Sequence, residues 1–376
     1  MNSYEKKCVD FLKRLVSAKS YSGCEAKAAA VAAREMRRLG YDSVSSDSYN
    51  NVVGRIGDGR GTKILFDAHT DTVGIADPAL WRSDPFVPVI KKGLLYGRGA
   101  CDDKGSVAAM VYAGALLKKS ARADGFTLMV SASAGEEIGE TQWLDFITKK
   151  LRFIPDFAVI GEPSNLKVIR GHKGRTEFKI SVRGKSAHAS IPEKGVNAAH
   201  RASELVGKIA ALNKKYKSAA LGKPVISVTV METTNASINT IPENCVFYID
   251  RRTVETETRR SVEREIRAIC GSVAKIEYVK HYSPWVISAG HPLLKASARA
   301  FTEAYGTAPK VITWPFCTNG SHTMGDNGIP SVGFGPGKEE HAHIANESIA
   351  LADVIKAIGF YAALPKAIAA RGLFLI

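Results

Sequence analysis

Over its first 170 or so residues the chain sets short apolar runs among longer stretches of helical periodicity, and this arrangement limits the fold more than any other feature of the sequence. Residues 51–56, 63–68, 126–132 and 157–161 have the length and apolar content of strands. Val9, Leu12 and Leu15 recur at helical spacing, residues 25–39 give a second helical pattern that stops at Gly40, and residues 106–119 read as a third. Strands and long helices in this order predict an α/β fold, a mostly parallel sheet flanked by helices on both faces.

From about Gly171 the texture changes. Residues 175–182, 225–231, 245–251 and 274–279 alternate polar and apolar positions, as half-buried antiparallel strands do, and residues 196–212 and 258–270 are helical. After Pro284 the first texture returns, with a helix over 292–305, short strands over 309–313 and 331–334, and a closing helix over 350–364. The chain therefore reads as one domain made of residues 1–170 and 285–376, with an α+β domain inserted at 171–284. Its 376 residues exceed the roughly 250–300 that a single core serves, which agrees with two domains.

Composition excludes several classes. A hydrophobic share of 45% and a charged share of 24% are those of an ordinary globular protein rather than a disordered one. The segment MNSYEKKCVDFLKRLV has no apolar signal region, and no run approaches the ~20 apolar residues that cross a bilayer, so a cytoplasmic protein with no membrane partner is expected. Six scattered cysteines without a C-x-x-C pair are expected to stay thiols and to bind no metal. The net charge of +15 is spread along the chain, apart from short clusters such as residues 214–217, and points to a surface that attracts anionic small molecules rather than to nucleic acid.

Ionisable residues gather where the predicted strands end. Residues 64–68 deliver His69-Thr70-Asp71 to a C-terminal strand end, where open α/β sheets build their sites, although an H-x-D taken alone has an equally good structural reading. Gly97-Arg98-Gly99-Ala100-Cys101-Asp102-Asp103-Lys104-Gly105 is a glycine-rich turn that presents two carboxylates before a helix; either aspartate could simply cap it. Strand 126–132 runs into Gly135-Glu136-Glu137, and strand 157–161 into Glu162. Adjacent carboxylates with no Lys or Arg beside them need a cation or a proton if they share a cleft. His341-Ala342-His343 follows the glycine-rich turn 333–337. Imidazole and carboxylate together suit divalent ions, and two such ions sharing a carboxylate can clamp a water and a carbonyl.

In this order the motifs resemble the co-catalytic metallopeptidase family that includes acetylornithine deacetylase, succinyl-diaminopimelate desuccinylase, aminoacylase and glutamate carboxypeptidase. The likeness spans essentially the whole chain. It implies that His69, Asp102 and Glu162 hold one divalent metal ion and Asp102, Glu137 and His343 a second, with Asp102 as the bridge; Zn2+ is named on resemblance, and Co2+ or Mn2+ would suit the same ligands. Asp71 would orient His69, and Glu136 would take a proton from the attacking water and return it to the leaving amine. The inserted domain resembles the family's lid and dimerisation domain, which implies a homodimer. In it the Gly184-Lys185-Ser186-Ala187-His188-Ala189-Ser190 segment matches one whose histidine reaches a partner's active site, so His188 would stabilise the oxyanion.

The resemblance further implies that Asn239 and one of Arg251 and Arg252 bind the carboxylate of a small-molecule substrate; the D-x-R spacing favours Arg252. Thr318, Asn319 and Gly335 fall at substrate-binding positions, with an amide at Asn319 where many relatives carry a carboxylate. The stretches 314–320 and 333–339 look most like a branch of hydrolases linked to selenium metabolism. The expected activity is hydrolysis of an amide bond next to a free carboxylate, as in deacylation of an N-acyl amino acid. A dipeptidase or carboxypeptidase of the same family is the alternative, and a metal-binding protein without catalysis the reading from another class.

Overall fold

The structure, a computed structural model, describes residues 1–119, 125–235 and 237–369. By its internal contacts the chain divides into two compact units, Met1–Gly171 with Ile287–Ile312 and Thr318–Ile376, and His172–Val286 with Thr313–Cys317.

In the first unit the strands Ser43–Ser46, Val52–Ile56, Phe126–Ser133, Thr62–His69, Phe157–Ile160, Ser331–Gly333 and Val168–His172 pair in that order. The three central pairings, from 126–133 across to 331–333, are parallel, and those to either side are antiparallel. The α/β class expected from the sequence is thus present as a mixed sheet flanked by helices. Residues 43–46 and 52–56 are joined by a short turn, which permits only antiparallel pairing. Neither Ser43–Ser46 nor Val168–His172 stood out in the sequence, because the first is polar and the second has only two apolar residues, Val168 and Ile169, before Arg170, Gly171 and His172.

Helix Gly105–Lys119 is apolar almost all round and accordingly buried, packed against helices Ser3–Ser17 and Leu351–Ala369. The first of these starts in a capping box in which Asn2 accepts from the backbone of Tyr4 and Glu5 while Glu5 accepts from Asn2. A separate cluster around Trp143, Ile147, Leu65 and Ile160 covers the opposite sheet face. Among the described residues no helix is long and apolar enough to cross a membrane.

The second unit is a four-stranded antiparallel sheet in the order Val225–Thr233, Asn244–Thr253, Gly174–Arg183, Ala274–Tyr282. Burial alternates strictly along its two central strands, and the buried set, including Phe178, Ile180, Phe247 and Ile249, packs with helices Ala198–Ala211 and Arg259–Cys270. Each such side chain contributes about 1.5–3 kcal/mol on burial, so a register slip of one residue would be costly.

Candidate metal centre

Parallel register brings the chemistry to one edge. His69 pairs with Ser133, Asp67 with Ile160 and Ile160 with Gly333, so the strands end level and the residues just beyond them converge. His69 closes one strand, Glu136 and Glu137 follow the next, and Glu162 follows the third. Asp102 arrives in the turn ahead of helix Gly105–Lys119, and His343 in the segment after Gly333. All belong to the first unit.

Asp102 lies between the two imidazoles, its Oδ1 3.0 Å from His69 Nε2 and its Oδ2 3.1 Å from His343 Nε2. His343 Nε2 is also 2.9 Å from Glu137 Oε1, and His69 Nε2 is 3.8 Å from Glu162 Oε1. His69, Asp102 and Glu137 can each place a ligand atom within 4.8 Å of the others, and so can His69, Glu136 and Glu162. Asp71 is the hub behind them. Its Oδ1 accepts from the backbone of Glu136 at 3.1 Å, and its Oδ2 from that of Glu137 at 3.1 Å and from Ser22 Oγ at 2.7 Å. His69 Nδ1 lies 3.0 Å from the Asp71 backbone carbonyl and 3.4 Å from its Oδ1, so one residue holds both the imidazole and the glutamate pair.

Burial raises the carboxyls of Glu136, Glu137 and Glu162 above the usual range, and mutual repulsion adds to it. Burial also opposes ionisation of Asp102, but His343 and His69 outweigh it and hold that carboxyl low. Burial works against a charged His69 as well, yet Asp102 and Asp71 keep its imidazole well above the ordinary value. His343 is pushed up to about 10 by Asp102 and Glu137. Among the described residues no Lys or Arg forms an ion pair with Asp102, Glu136, Glu137 or Glu162.

Excess buried carboxylate, oxygen and imidazole donors, and one aspartate whose two oxygens face different imidazoles together fit a pair of divalent ions. Asp102 apart, the imidazoles and carboxyls of the cluster are shifted toward holding protons when metal is absent. Metal uptake is therefore expected to release protons, with affinity rising as the pH is raised from 6 toward the value of about 10 set for His343. Calorimetric titration in buffers of different ionisation enthalpy measures the number released; a pH-independent affinity would contradict it.

The remaining residues expected at the site have definite places. His188 stands exposed on Ala187–His188, paired with Thr240–Ile241, and its Nδ1 is 2.7 Å from Ser190 Oγ. The carbonyl of Asn239 accepts from Ala189 N at 2.8 Å, so His188 and Asn239 share one loop pair of the second unit. Arg251 is fully buried, ion-paired with Glu257 and stacked on Tyr216 with its guanidinium 3.7 Å from the ring centroid. Arg252 is the more open guanidinium, held in a fork by Asp250 at 2.8 and 3.1 Å.

Thr318, Asn319 and Gly335 are buried. Asn319 Nδ2 donates to Asp67 Oδ2 at 2.8 Å and to Ser133 Oγ at 3.2 Å, tying together the two strands that carry His69 and Glu136. Gly335 has no room for a side chain, since a Cβ would sit 2.1 Å from the Glu162 carbonyl oxygen; its N–H donates to Ser164 Oγ at 2.9 Å. Sequence reasoning missed Ser22, Arg98 and Glu347. Only the proximity of Glu347 to His343 in the chain hinted at any of them.

A sequence model described as Peptidase family M20/M25/M40 matches residues 65–367, a span that holds every residue of this centre. The chain belongs to that family. It is 33% identical over 381 residues to the uncharacterized protein YgeY of Escherichia coli strain K12, covering 96% of this chain and 94% of that one. It is 30% identical over 307 residues to acetylornithine deacetylase of Buchnera aphidicola, covering 79% and 78%. The fold matches that of Bacillus subtilis YXEP, described as a dinuclear metal-binding peptidase of the M20 family, with a TM-score of 0.73 at 15% identity over 98% of this chain and 99% of that one. As a member of M20/M25/M40 the chain is a hydrolase of amide or peptide bonds.

Proposed function

We propose that this M20 hydrolase cleaves an amide bond next to a free carboxylate, releasing an amino acid from its N-acyl form. The observation that carries the reading is Asp102 set between two imidazoles in a cluster of buried carboxylates that, among the described residues, has no Lys or Arg in ion-pair contact. Similarity to an acetylornithine deacetylase supports the N-acyl amino acid as the substrate class.

His69, Asp102 and Glu162 would hold one ion and Asp102, Glu137 and His343 the other, with Zn2+ first and Co2+ or Mn2+ as substitutes. Such ions, when bound, polarise the amide carbonyl and acidify the attacking water. Asp71 keeps His69 and the backbone of Glu136 in place. Glu136 accepts a proton from the water as its oxygen adds to the carbonyl carbon, then returns that proton to the amide nitrogen as the C–N bond breaks; the second water proton passes from the new carboxylic acid to the amine, giving a carboxylate and an ammonium group. His188, reaching the active site of the other subunit of the dimer, would donate to the developing oxyanion, and Asn239 and Arg252 would bind the substrate carboxylate, for which a planar guanidinium offers two parallel donors.

The reading includes a cytoplasmic homodimer joined through the second unit. In support of the dimer, strand Val225–Thr233 lies at the edge of its sheet and leaves Val230 and Met231 each 42% exposed. A panel of N-acetyl amino acids and unblocked dipeptides, each with free and amidated C-termini, tests the substrate class by amine release. Turnover of the free-carboxylate N-acetyl compounds is expected. Turnover of the dipeptides alone would make the protein a dipeptidase, and equal turnover of amidated substrates would remove the carboxylate requirement. Arg252→Leu is expected to raise KM for the free-carboxylate substrate about 10–100-fold with little change in kcat, since a hydrogen bond to a charged group contributes about 1.5–3 kcal/mol.

A further inference from the structure

Glu347 is fully buried and follows His343 by four residues. Its two oxygens accept from four donors of one turn. Oε2 accepts from Arg98 Nη1 at 2.8 Å and from Gly99 N at 3.1 Å; Oε1 accepts from Cys101 N at 2.8 Å and from Asp102 N at 3.0 Å. The Glu347 carbonyl also accepts from Gly97 N at 3.0 Å, and Ser348–Ala350 continues the contact as a strand paired with Leu94–Tyr96. The last of the side-chain donors is the peptide N–H of the aspartate that separates His69 from His343.

From this arrangement we infer that Glu347 is the positioning residue that fixes Asp102 for binding of the metal pair, an inference that rests on the dinuclear reading above. A short segment of the chain thus does two things. It supplies His343 to the Asp102 side chain, with Nε2 3.1 Å from its Oδ2, and it holds the Asp102 backbone N–H through Glu347. The spacing of Asp102 from both imidazoles is then supported by a carboxylate that belongs to neither proposed ligand set. An amide at this position has one acceptor oxygen, so two of the four donors would face an NH2 group. An aspartate keeps the charge but is one methylene too short to serve both pairs of donors.

Metal-free Glu347→Gln and Glu347→Asp, checked for folding by circular dichroism, are titrated with Co2+ alone beside the wild-type protein, following the visible absorption of the bound ion. The expected result for Glu347→Gln is an affinity for the more weakly held ion lower by about 10–100-fold, the loss usual when the partner of a metal ligand is removed, with a changed Co2+ spectrum. Glu347→Asp is expected to lose less, in the same direction. A folded variant of either kind that takes up two Co2+ with wild-type affinity and spectrum, even with a lower melting temperature, would reduce Glu347 to a fold-stabilising residue and overturn the inference. If Glu347→Gln does not fold, the Asp variant decides. Wild-type protein that takes up no Co2+ would instead overturn the dinuclear reading, and the positioning role with it.

Discussion

Glu136→Gln is expected to bind two divalent ions as the wild-type protein does and to turn over about 10²–10⁴-fold more slowly, the usual contribution of a positioned acid–base group. The substitution keeps the shape of the side chain and removes its basicity. The backbone of Glu136 stays anchored because its N–H donates to Asp71, a contact independent of the side chain. The carboxyl can reach the space shared by His69 and Glu162, and burial and the neighbouring Glu137 raise its proton affinity. Glu137→Gln differs in kind. It removes the carboxylate 2.9 Å from His343 and should weaken metal binding itself. Metal titration and steady-state kinetics on the two variants separate the roles, and undiminished turnover by Glu136→Gln would remove the base assignment.

The second large effect lies beneath the site. Asn319→Asp would set a second carboxylate against Asp67, at a position where the amide nitrogen now lies 2.8 Å from the Asp67 oxygen and both residues are buried. Burial already pushes Asp67 up to about 6, with Ser131, Asn319 and Ser133 opposing that rise. Losing the donor and gaining a like charge should cost about 3–5 kcal/mol, the scale for an uncompensated buried charge. A drop in the thermal midpoint of roughly 10 °C follows for a unit of this size. The exchange Asp67→Asn with Asn319→Asp restores one acid and one amide across the same gap and should recover most of the loss. Thermal unfolding of the single and double variants at pH 7 measures this; an Asn319→Asp protein as stable as the parent would show that the pair does not hold the strand ends.

Legibility in the sequence followed the range of the interactions. Strands 62–69 and 126–133 were readable because apolar runs bury on both faces of a central sheet, and the ionisable residues beyond them stood out against that background. The central strands of the second unit were readable because their burial alternates with period two. Local pattern left Arg251 and Arg252 open, since both follow Asp250. Arg251 is buried against Tyr216 and Glu257, and those partners come from other elements. Asn319 lies in a stretch that resembles a substrate-binding motif. Its hydrogen bond spans 252 residues to Asp67, which no local pattern encodes. Ser22 and Glu347 escape sequence reasoning for the same reason: each bonds to a residue of the candidate centre through a contact fixed by the fold, at sequence separations of 49 and 245 residues.

The most direct test of the account is amine release from an N-acyl amino acid by metal-stripped protein as Zn2+ is added back in steps. Turnover should be absent at the start, rise as the dinuclear centre fills, level off near two ions per chain, and vanish again on adding chelator. Full turnover by the stripped protein, or none with both ions bound across the whole substrate panel, would contradict it.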